Sequence, residues 1–228
     1  MRKITIVIIG FLLSPVVHAQ LIDNKLNIYS SYSFGNFMGS KTINEDNYIA
    51  PSLYPNFNSV SGFSLKVVMN SKDYLSFGMN YDYQFADQWN LSDYSDFKDA
   101  EIHLHSVTPL VRIHNKFNDK GILNRLQFFL ECGPTIGISS LNFSQPLFEI
   151  QPNENNISPP MSDHNFFGGL KGTIGMDCSF TQRLGLFFSY SYDMDWVSSK
   201  LHSDNLMKCS TVNVGLVLKF NKNKYFYY

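Results

Sequence analysis

Charged residues are scarce in this sequence. Asp, Glu, Lys and Arg make up 16% of its 228 residues, whereas a typical soluble domain carries about 25%. The two signs nearly cancel, giving a formal net charge of −1, so no basic surface for nucleic acid is expected. No phosphate-binding loop or nucleophile elbow is present either. We therefore expect neither a nucleic-acid partner nor a cofactor.

Cysteine is also rare, with three residues at Cys132, Cys178 and Cys209. Their spacing fits no zinc or redox motif. Cys132 and Cys178 fall on the apolar faces of predicted strands, where cysteine acts as a small hydrophobic residue. A structural disulfide is the alternative, because an exported protein can form one.

Long hydrophobic runs are confined to the N-terminus. An apolar segment at 4–13 follows a basic start and is too short to cross a bilayer as a helix. An acceptable cleavage site precedes Gln20. This pattern is typical of a secretory signal peptide. We expect residues 1–19 to be removed on export and 20–228 to form one domain.

Aromatic residues, in contrast, are abundant at 15%. In "YLSFGMNYDYQF", 74–85, hydrophobic side chains alternate with small or polar ones from Leu75 onward. Such alternation predicts a β-strand with two unlike faces. Eight segments show this pattern: 26–34, 63–69, 74–85, 100–113, 126–138, 166–180, 184–194 and 212–220.

The segment 100–113 changes phase. Its apolar residues stand at even positions up to Leu104 and at odd positions from Val107. We predict a β-bulge near 106–108, because one extra residue would restore the register. Pro109 supports a local break, since proline cannot donate a hydrogen bond to a neighbouring strand.

The connections between the predicted strands alternate between short turns and long loops. Long loops are expected at 39–58, 86–99, 139–164 and 197–209. This layout is typical of an outer-membrane barrel with its short turns in the periplasm. The predicted fold class is all-β: an eight-stranded antiparallel transmembrane up-and-down β-barrel.

The two faces of the strands indicate which side meets lipid. The apolar faces carry almost no charge, while the polar faces are rich in Ser, Gly, Asn and Thr. A soluble barrel needs the reverse, an apolar interior and a charged exterior. The apolar faces are therefore expected to contact outer-membrane lipid. Five polar-face residues are predicted to form a network in the lumen that packs by paired charges, with a proton path or ligand pocket as the alternative: Asp82, His105, Glu131, Lys171 and Asp193.

Histidines supply two further hypotheses. Glu101, His103 and His105 share one face of a strand, and carboxylate and imidazole groups are common metal ligands. His103, His164 and His202 are expected near the outer rim, where a lipid hydrolase or acyltransferase could use them. The alternative for all of them is an ordinary lumen, rim or loop residue.

The last strand, "NVGLVLKF", looks like the C-terminal insertion signal of outer-membrane proteins. The matching residues are Asn213, Gly215, Leu218 and Phe220. Such a signal implies the outer-membrane assembly machinery as a partner. The chain departs from the pattern by continuing into a tail at 221–228.

Most of the mature chain, about 25–220, resembles the Bacteroidetes outer-membrane β-barrel domain family, the PorT-like group. The resemblance rests on "HSVTPLVRIHN" at 105–115 and "LQFFLECGPTIGI" at 126–138, followed by "GGLKGTIGMDCSF" at 168–180 and "LGLFFSYSYDM" at 184–194. It implies an eight-stranded barrel in the cell outer membrane. Some relatives serve in a secretion machinery.

These observations predict an integral outer-membrane protein with a structural or interaction role, carried by its external loops. Envelope or secretion proteins are the expected partners, and no enzymatic activity is expected. Two alternatives remain open: a PorT-like component that assists protein secretion, and an outer-membrane lipid hydrolase or acyltransferase.

Overall fold

The strands of this protein close into one barrel. The computed structural model describes residues 26–38, 59–71, 74–86, 100–115, 125–143, 162–181, 183–197 and 206–220. The strands are β1 Leu26–Met38, β2 Val60–Asn70, β3 Leu75–Ala86, β4 Ala100–His114, β5 Leu126–Phe143, β6 Ser162–Ser179, β7 Leu184–Val197 and β8 Leu206–Lys219. Each strand pairs antiparallel with the next, and β8 pairs with β1. The predicted fold class is confirmed.

Several predicted features lie outside the described residues. They are the signal peptide at 1–19, the tail at 221–228 and His202. The described part of the chain contains no helix with the length and hydrophobicity of a transmembrane span.

The barrel has two ends, which we name by the chain. At the terminal end β1 begins and β8 ends, and at the distal end β1 ends and β8 begins. The strands run further toward the distal end than predicted: β5 reaches Phe143 and β8 starts at Leu206. The sequence pattern hid these extensions, because Leu141, Met207 and Cys209 face inward there while Ser140 and Lys208 face outward.

β4 shows this inversion most clearly. It pairs with β3 without interruption from Ala86–Ile102 to Leu75–Ile113, so the predicted bulge near 106–108 is wrong. What changes along β4 is the residue type and not the register. Ile102 and Leu104 point into the lumen and are buried, while the polar residues beside them face outward.

The inversion divides the barrel into two sections. We call residues 101–105, 139–142 and 207–210, together with the inward side chains at their level (Phe37, Val60, Ala86, Phe167 and Val197), the distal section, and the remainder the main section. The main section has mostly polar side chains inside, beside a smaller cluster of Tyr29, Val68, Leu110, Phe187 and Val217, whereas the distal section closes the lumen with an apolar cluster. This apolar plug consists of Phe37, Val60, Ala86, Ile102, Leu104, Leu141, Phe167, Val197, Met207 and Cys209.

Candidate functional site

The outer surface of the main section is a belt of exposed hydrophobic side chains. Phe63, Ile136 and Ile174 are 58%, 66% and 58% exposed. A monomer in water rarely exposes so large a continuous apolar surface, whereas a barrel in lipid requires one. Aromatic rings lie toward both ends of this belt, as in the girdles of membrane barrels: Tyr74, Phe180 and Phe220 at the terminal end, and Tyr81, Tyr192 and Trp196 toward the distal end.

Inside the main section, the first polar cluster centres on Arg112. Its Nε donates to Glu131 Oε1 at 2.6 Å, and Lys66 Nζ donates to Glu131 Oε2 at 2.6 Å. The Tyr29 hydroxyl accepts from Arg112 Nη1 and donates to Asp177 Oδ2 at 2.7 Å. The cluster therefore joins β1, β2, β4, β5 and β6 across the lumen.

Aromatic rings enclose this Arg112 cluster. The guanidinium carbon of Arg112 lies 4.0 Å from the centroid of the Phe129 ring and 4.5 Å from that of Tyr29. Phe187 packs edge-on against Tyr29 at 5.1 Å. Aromatic rings exclude water and attract cations. The positive charges of Arg112 and Lys66 therefore compensate the negative charges of Glu131 and Asp177 in a part of the lumen from which water is excluded.

The second polar cluster centres on Lys171 and lies nearer the distal end. Lys171 Nζ donates to Asp82 at 3.0 Å and to Asp193 at 3.2 Å. Asn80 donates to Asp82 at 2.6 Å and accepts from Ser64 at 2.8 Å. One cation thus holds two carboxylates from opposite walls, and a hydrogen-bonded chain connects them to β2.

The structure separates the predicted lumen residues. Asp82, Glu131, Lys171 and Asp193 are buried inside the barrel, but Glu131 belongs to the Arg112 cluster and the others to the Lys171 cluster. Sequence reasoning missed four members of the first cluster: Tyr29, Lys66, Arg112 and Asp177. Each of them occupies an inward-facing position in the alternating pattern. The register between strands, which a single-strand pattern does not contain, is what brings their side chains together.

His105 does not belong to the lumen, and its predicted position is wrong. It faces outward, where Nδ1 lies 2.9 Å from the Tyr81 hydroxyl and the ring centroid lies 4.8 Å from that of Tyr83. The physical reason is the inverted polarity of the distal section. Polarity alone predicts His105 in the lumen, but in the distal section polar residues face outward.

The proposed metal ligands also lie on this outer face. His103 Nε2 is 3.7 Å from Glu101 Oε2, and its Nδ1 is 2.9 Å from the Tyr83 hydroxyl. Across the parts of the chain that the structure describes, no three His, Cys, Asp or Glu side chains are grouped to hold a metal ion.

The same contacts bear on the enzyme hypothesis. His103 and His164 lie opposite Ser140 on its two neighbouring strands. Both ring nitrogens of His103, however, face Tyr83 and Glu101. A general base needs a ring nitrogen within hydrogen-bond reach of the nucleophile, so His103 is not oriented toward Ser140.

The residues of the insertion pattern fall on both faces of β8. Asn213 is buried in the lumen and donates to Ser191 at 3.1 Å. Leu218 and Phe220 face outward and are 48% and 41% exposed. Cys132, Cys178 and Cys209 are free thiols, and Cys209 belongs to the apolar plug.

Comparison with known proteins identifies the fold. No protein-family model matches the chain, and no curated protein matches it. Neisserial surface protein A (NspA) matches with a TM-score of 0.52 and 14% identity, over 85% of this chain and 96% of that chain. The outer membrane protein OprG from Pseudomonas aeruginosa matches with a TM-score of 0.50 and 14% identity, over 86% of this chain and 96% of that chain. At this identity the likeness shows a shared barrel fold alone.

Proposed function

We propose that this chain is an integral outer-membrane β-barrel whose role is structural or interactive. The observation that carries the proposal is the polarity of the main section, with hydrophobic side chains outside and compensated charges inside. Its lumen is filled by side chains, as expected for eight strands, and the apolar plug covers its distal end. Interactions would then take place at the long external connections and not through a pore.

Location in the outer membrane is tested by gel mobility in isolated membranes. A closed barrel in that fraction should migrate faster unboiled than boiled, because the folded form stays compact in detergent. Recovery as a soluble periplasmic protein with no mobility shift would contradict the proposal. Sequencing of the mature N-terminus tests the signal peptide, with Gln20 expected as the first residue.

The interaction role is tested by shortening one connection. Residues 144–161 join β5 to β6 and would be replaced by a short Gly-Asn turn, with mobility on unboiled gels confirming that the barrel still folds. Proteins that can be cross-linked to the barrel in cells should no longer be recovered with this variant. They should still be recovered with a control variant in which the sequence of the turn at 71–74 is scrambled. An unchanged partner set would contradict an interaction through that connection.

The finer assignment to the PorT-like group rests on the resemblance of four sequence segments. The quoted segments at 105–115, 126–138, 168–180 and 184–194 fall in β4, β5, β6 and β7 in sequence. Deleting the gene should then impair protein secretion across the outer membrane. Normal secretion in the deletion strain would exclude this role and leave the barrel proposal intact.

A further inference from the structure

One carboxyl group of the lumen is buried without a hydrogen-bond donor. Asp195 lies on β7 and is 3% exposed, and its Oδ1 atom has no hydrogen-bond partner among the described residues. The neighbouring carboxylates of Asp82 and Asp193 both accept from Lys171. Burying an unpaired anion costs far more free energy than burying a neutral group. Asp195 therefore needs either a cation or a proton to be stable at this position.

The two polar clusters of the lumen differ in their balance of charge. The Arg112 cluster contains two cations and two carboxylates. The Lys171 cluster offers one ammonium group to the carboxyl groups of Asp82 and Asp193, and the charge of Asp195 acts on the same region. Three ionised carboxylates and one ammonium group would leave two negative charges without compensation. Protonation of Asp195 removes one of them without breaking a hydrogen bond.

The carboxyl group of Asp195 lies between two neighbours that offer it no polar side chain. Asp195 pairs with Gly169 of β6, and a Cβ at Gly169 would come within 2.3 Å of Asp195 Oδ1. On its other side Asp195 pairs with Met207 of β8, whose thioether has no hydrogen to donate. The glycine thus makes room for the carboxyl group, but neither neighbour supplies a positive charge.

Asp195 also lies directly below the apolar plug. Phe167 and Val197 are the next inward residues toward the distal end, because side chains alternate along β6 and β7. Both belong to the plug, as does Met207. A negative charge on Asp195 would therefore be separated from water at the distal end by plug side chains. Because hydration stabilises a charge, ionisation would favour a state in which water enters the plug.

The other titratable groups around Asp195 do not neutralise it. In the part of the chain that the structure describes, the groups facing it are Lys171 of β6, Asp193 of β7, Cys209 of β8 and Asp82 of β3. Lys171 is shared by the two other carboxylates. These side chains are also not grouped as the ligands of a metal ion. A proton needs neither a set of ligands nor a cavity, so it is the occupant that this geometry favours.

We propose that Asp195 is a proton-controlled switch: it holds a proton in the closed barrel, and release of that proton to the solvent loosens the apolar plug. The distal end of the barrel is then closed in acid and becomes permeable to water in alkali. The inference rests on the burial of Asp195 and not on the location of the barrel in a membrane. It can therefore fail while the proposed function stands.

Infrared spectroscopy of the folded barrel in micelles tests for the proton. A protonated carboxyl group has a carbonyl band that a carboxylate lacks. At neutral pH a component of this band should be present in the wild type and vanish in Asp195→Asn. It should remain in the control variant Asp82→Asn, in which Lys171 keeps Asp193 as its partner. Absence of the band in the wild type, or an unchanged band in Asp195→Asn, would overturn the proposal.

The pH dependence of unfolding in urea tests the same proton by a second route. An unfolded aspartate ionises near about pH 4, so above that pH the wild type releases one proton more on unfolding than Asp195→Asn does. Its equilibrium constant for unfolding should therefore rise about tenfold per pH unit relative to that variant. The rise should end at the pH where Asp195 ionises in the folded barrel.

Two results of this titration would contradict the proposal. The first is a parallel pH profile of the wild type and Asp195→Asn. The second is a stability that depends on sodium at constant pH and ionic strength in the wild type but not in Asp195→Asn, because the occupant would then be a metal ion.

Hydrogen exchange of backbone amides tests the loosening of the plug. The wild type and Asp195→Asn are compared at the same pH, so their intrinsic exchange rates cancel. Above the pH at which Asp195 ionises, amides at 195–197 and 206–211 should exchange about tenfold faster in the wild type, because the plug opens locally. Amides at 185–189, toward the other end of β7, should not differ. Equal rates at the plug would overturn the switch even if the proton is found.

Discussion

The main and distal sections of the barrel have opposite polarity on the same backbone. In the main section Lys171 points inward and Leu170 is 55% exposed on the outside. In the distal section Leu141 points inward and is 3% exposed, while its neighbour Ser140 faces outward. Because side chains alternate along every strand, changing the residue types alone is enough to exchange the two faces.

The proposed orientation in the membrane accounts for this difference by the surroundings of each section. Lipid outside the main section favours apolar outward residues and leaves the lumen to charges that pair with each other. Water outside the distal section favours polar outward residues and an apolar core, as in a soluble barrel. In that orientation the change of phase within β4 marks the distal boundary of the lipid belt.

Loss of Arg112 should have the largest effect on the main section, because Glu131 and Asp177 then lose a shared cation. Removing one partner of a buried ion pair costs about 3–5 kcal/mol. Arg112→Met should lower the free energy of unfolding by this amount in a urea titration in detergent micelles. Arg183→Met at an exposed turn should change it by less than about 0.5 kcal/mol. Equal effects would show that the Arg112 cluster does not stabilise the barrel.

Truncation of Leu141 tests the apolar plug of the distal section. Leu141→Ala leaves a cavity among buried side chains and should cost about 2–5 kcal/mol. Ile138 lies on the same strand but faces outward and is 47% exposed, so Ile138→Ala should cost less than half as much by the same titration. A larger loss at Ile138 would mean that the lumen of the distal section is not packed as a core.

An outward arginine should distinguish the two sections directly. Ile174→Arg places a charge in the lipid belt and should cost about 2–4 kcal/mol, whereas Ser140→Arg beyond the belt should cost about 0–1 kcal/mol. Refolding into liposomes over a range of urea concentrations measures both. Similar costs would place Ser140 in lipid and remove the boundary inferred from β4.

The smallest effect is expected at His105, because its hydrogen bond to Tyr81 is exposed. His105→Phe should change the free energy of unfolding by less than about 1 kcal/mol. The same titration in micelles checks this value. A loss of several kcal/mol would indicate a buried role for His105 and would restore its place in the lumen network.

The sequence predicted the barrel because alternation is a local property. The run from Leu75 to Phe85 alone predicts a strand with one apolar face, and eight such runs with alternating short and long connections predict an eight-stranded barrel. The same rule failed at Ile102 and His105, because it assumed that one face is apolar along a whole strand. The same assumption predicted a bulge near 106–108, where β4 is in fact regular and only its surroundings change.

The lumen clusters were only partly predictable, for a different reason. Arg112 and Glu131 are directly paired across neighbouring strands, and their meeting needs only the register of one hairpin. Tyr29 and Asp177 meet across the lumen from β1 and β6. Such a contact depends on the closure and stagger of the entire barrel, which no local pattern contains.

Accessibility of spin labels at Thr173 and Ile174 tests the orientation of the main section most directly. These neighbours lie at nearly the same depth on β6, but Thr173 is buried in the lumen and Ile174 is 58% exposed on the outside. In liposomes, a label on Ile174→Cys should be relaxed strongly by oxygen, which concentrates in lipid, and weakly by a water-soluble nickel chelate. A label on Thr173→Cys should be shielded from oxygen. The opposite result, with the label at 173 in lipid, would invert the inside and outside of every strand and contradict the membrane barrel.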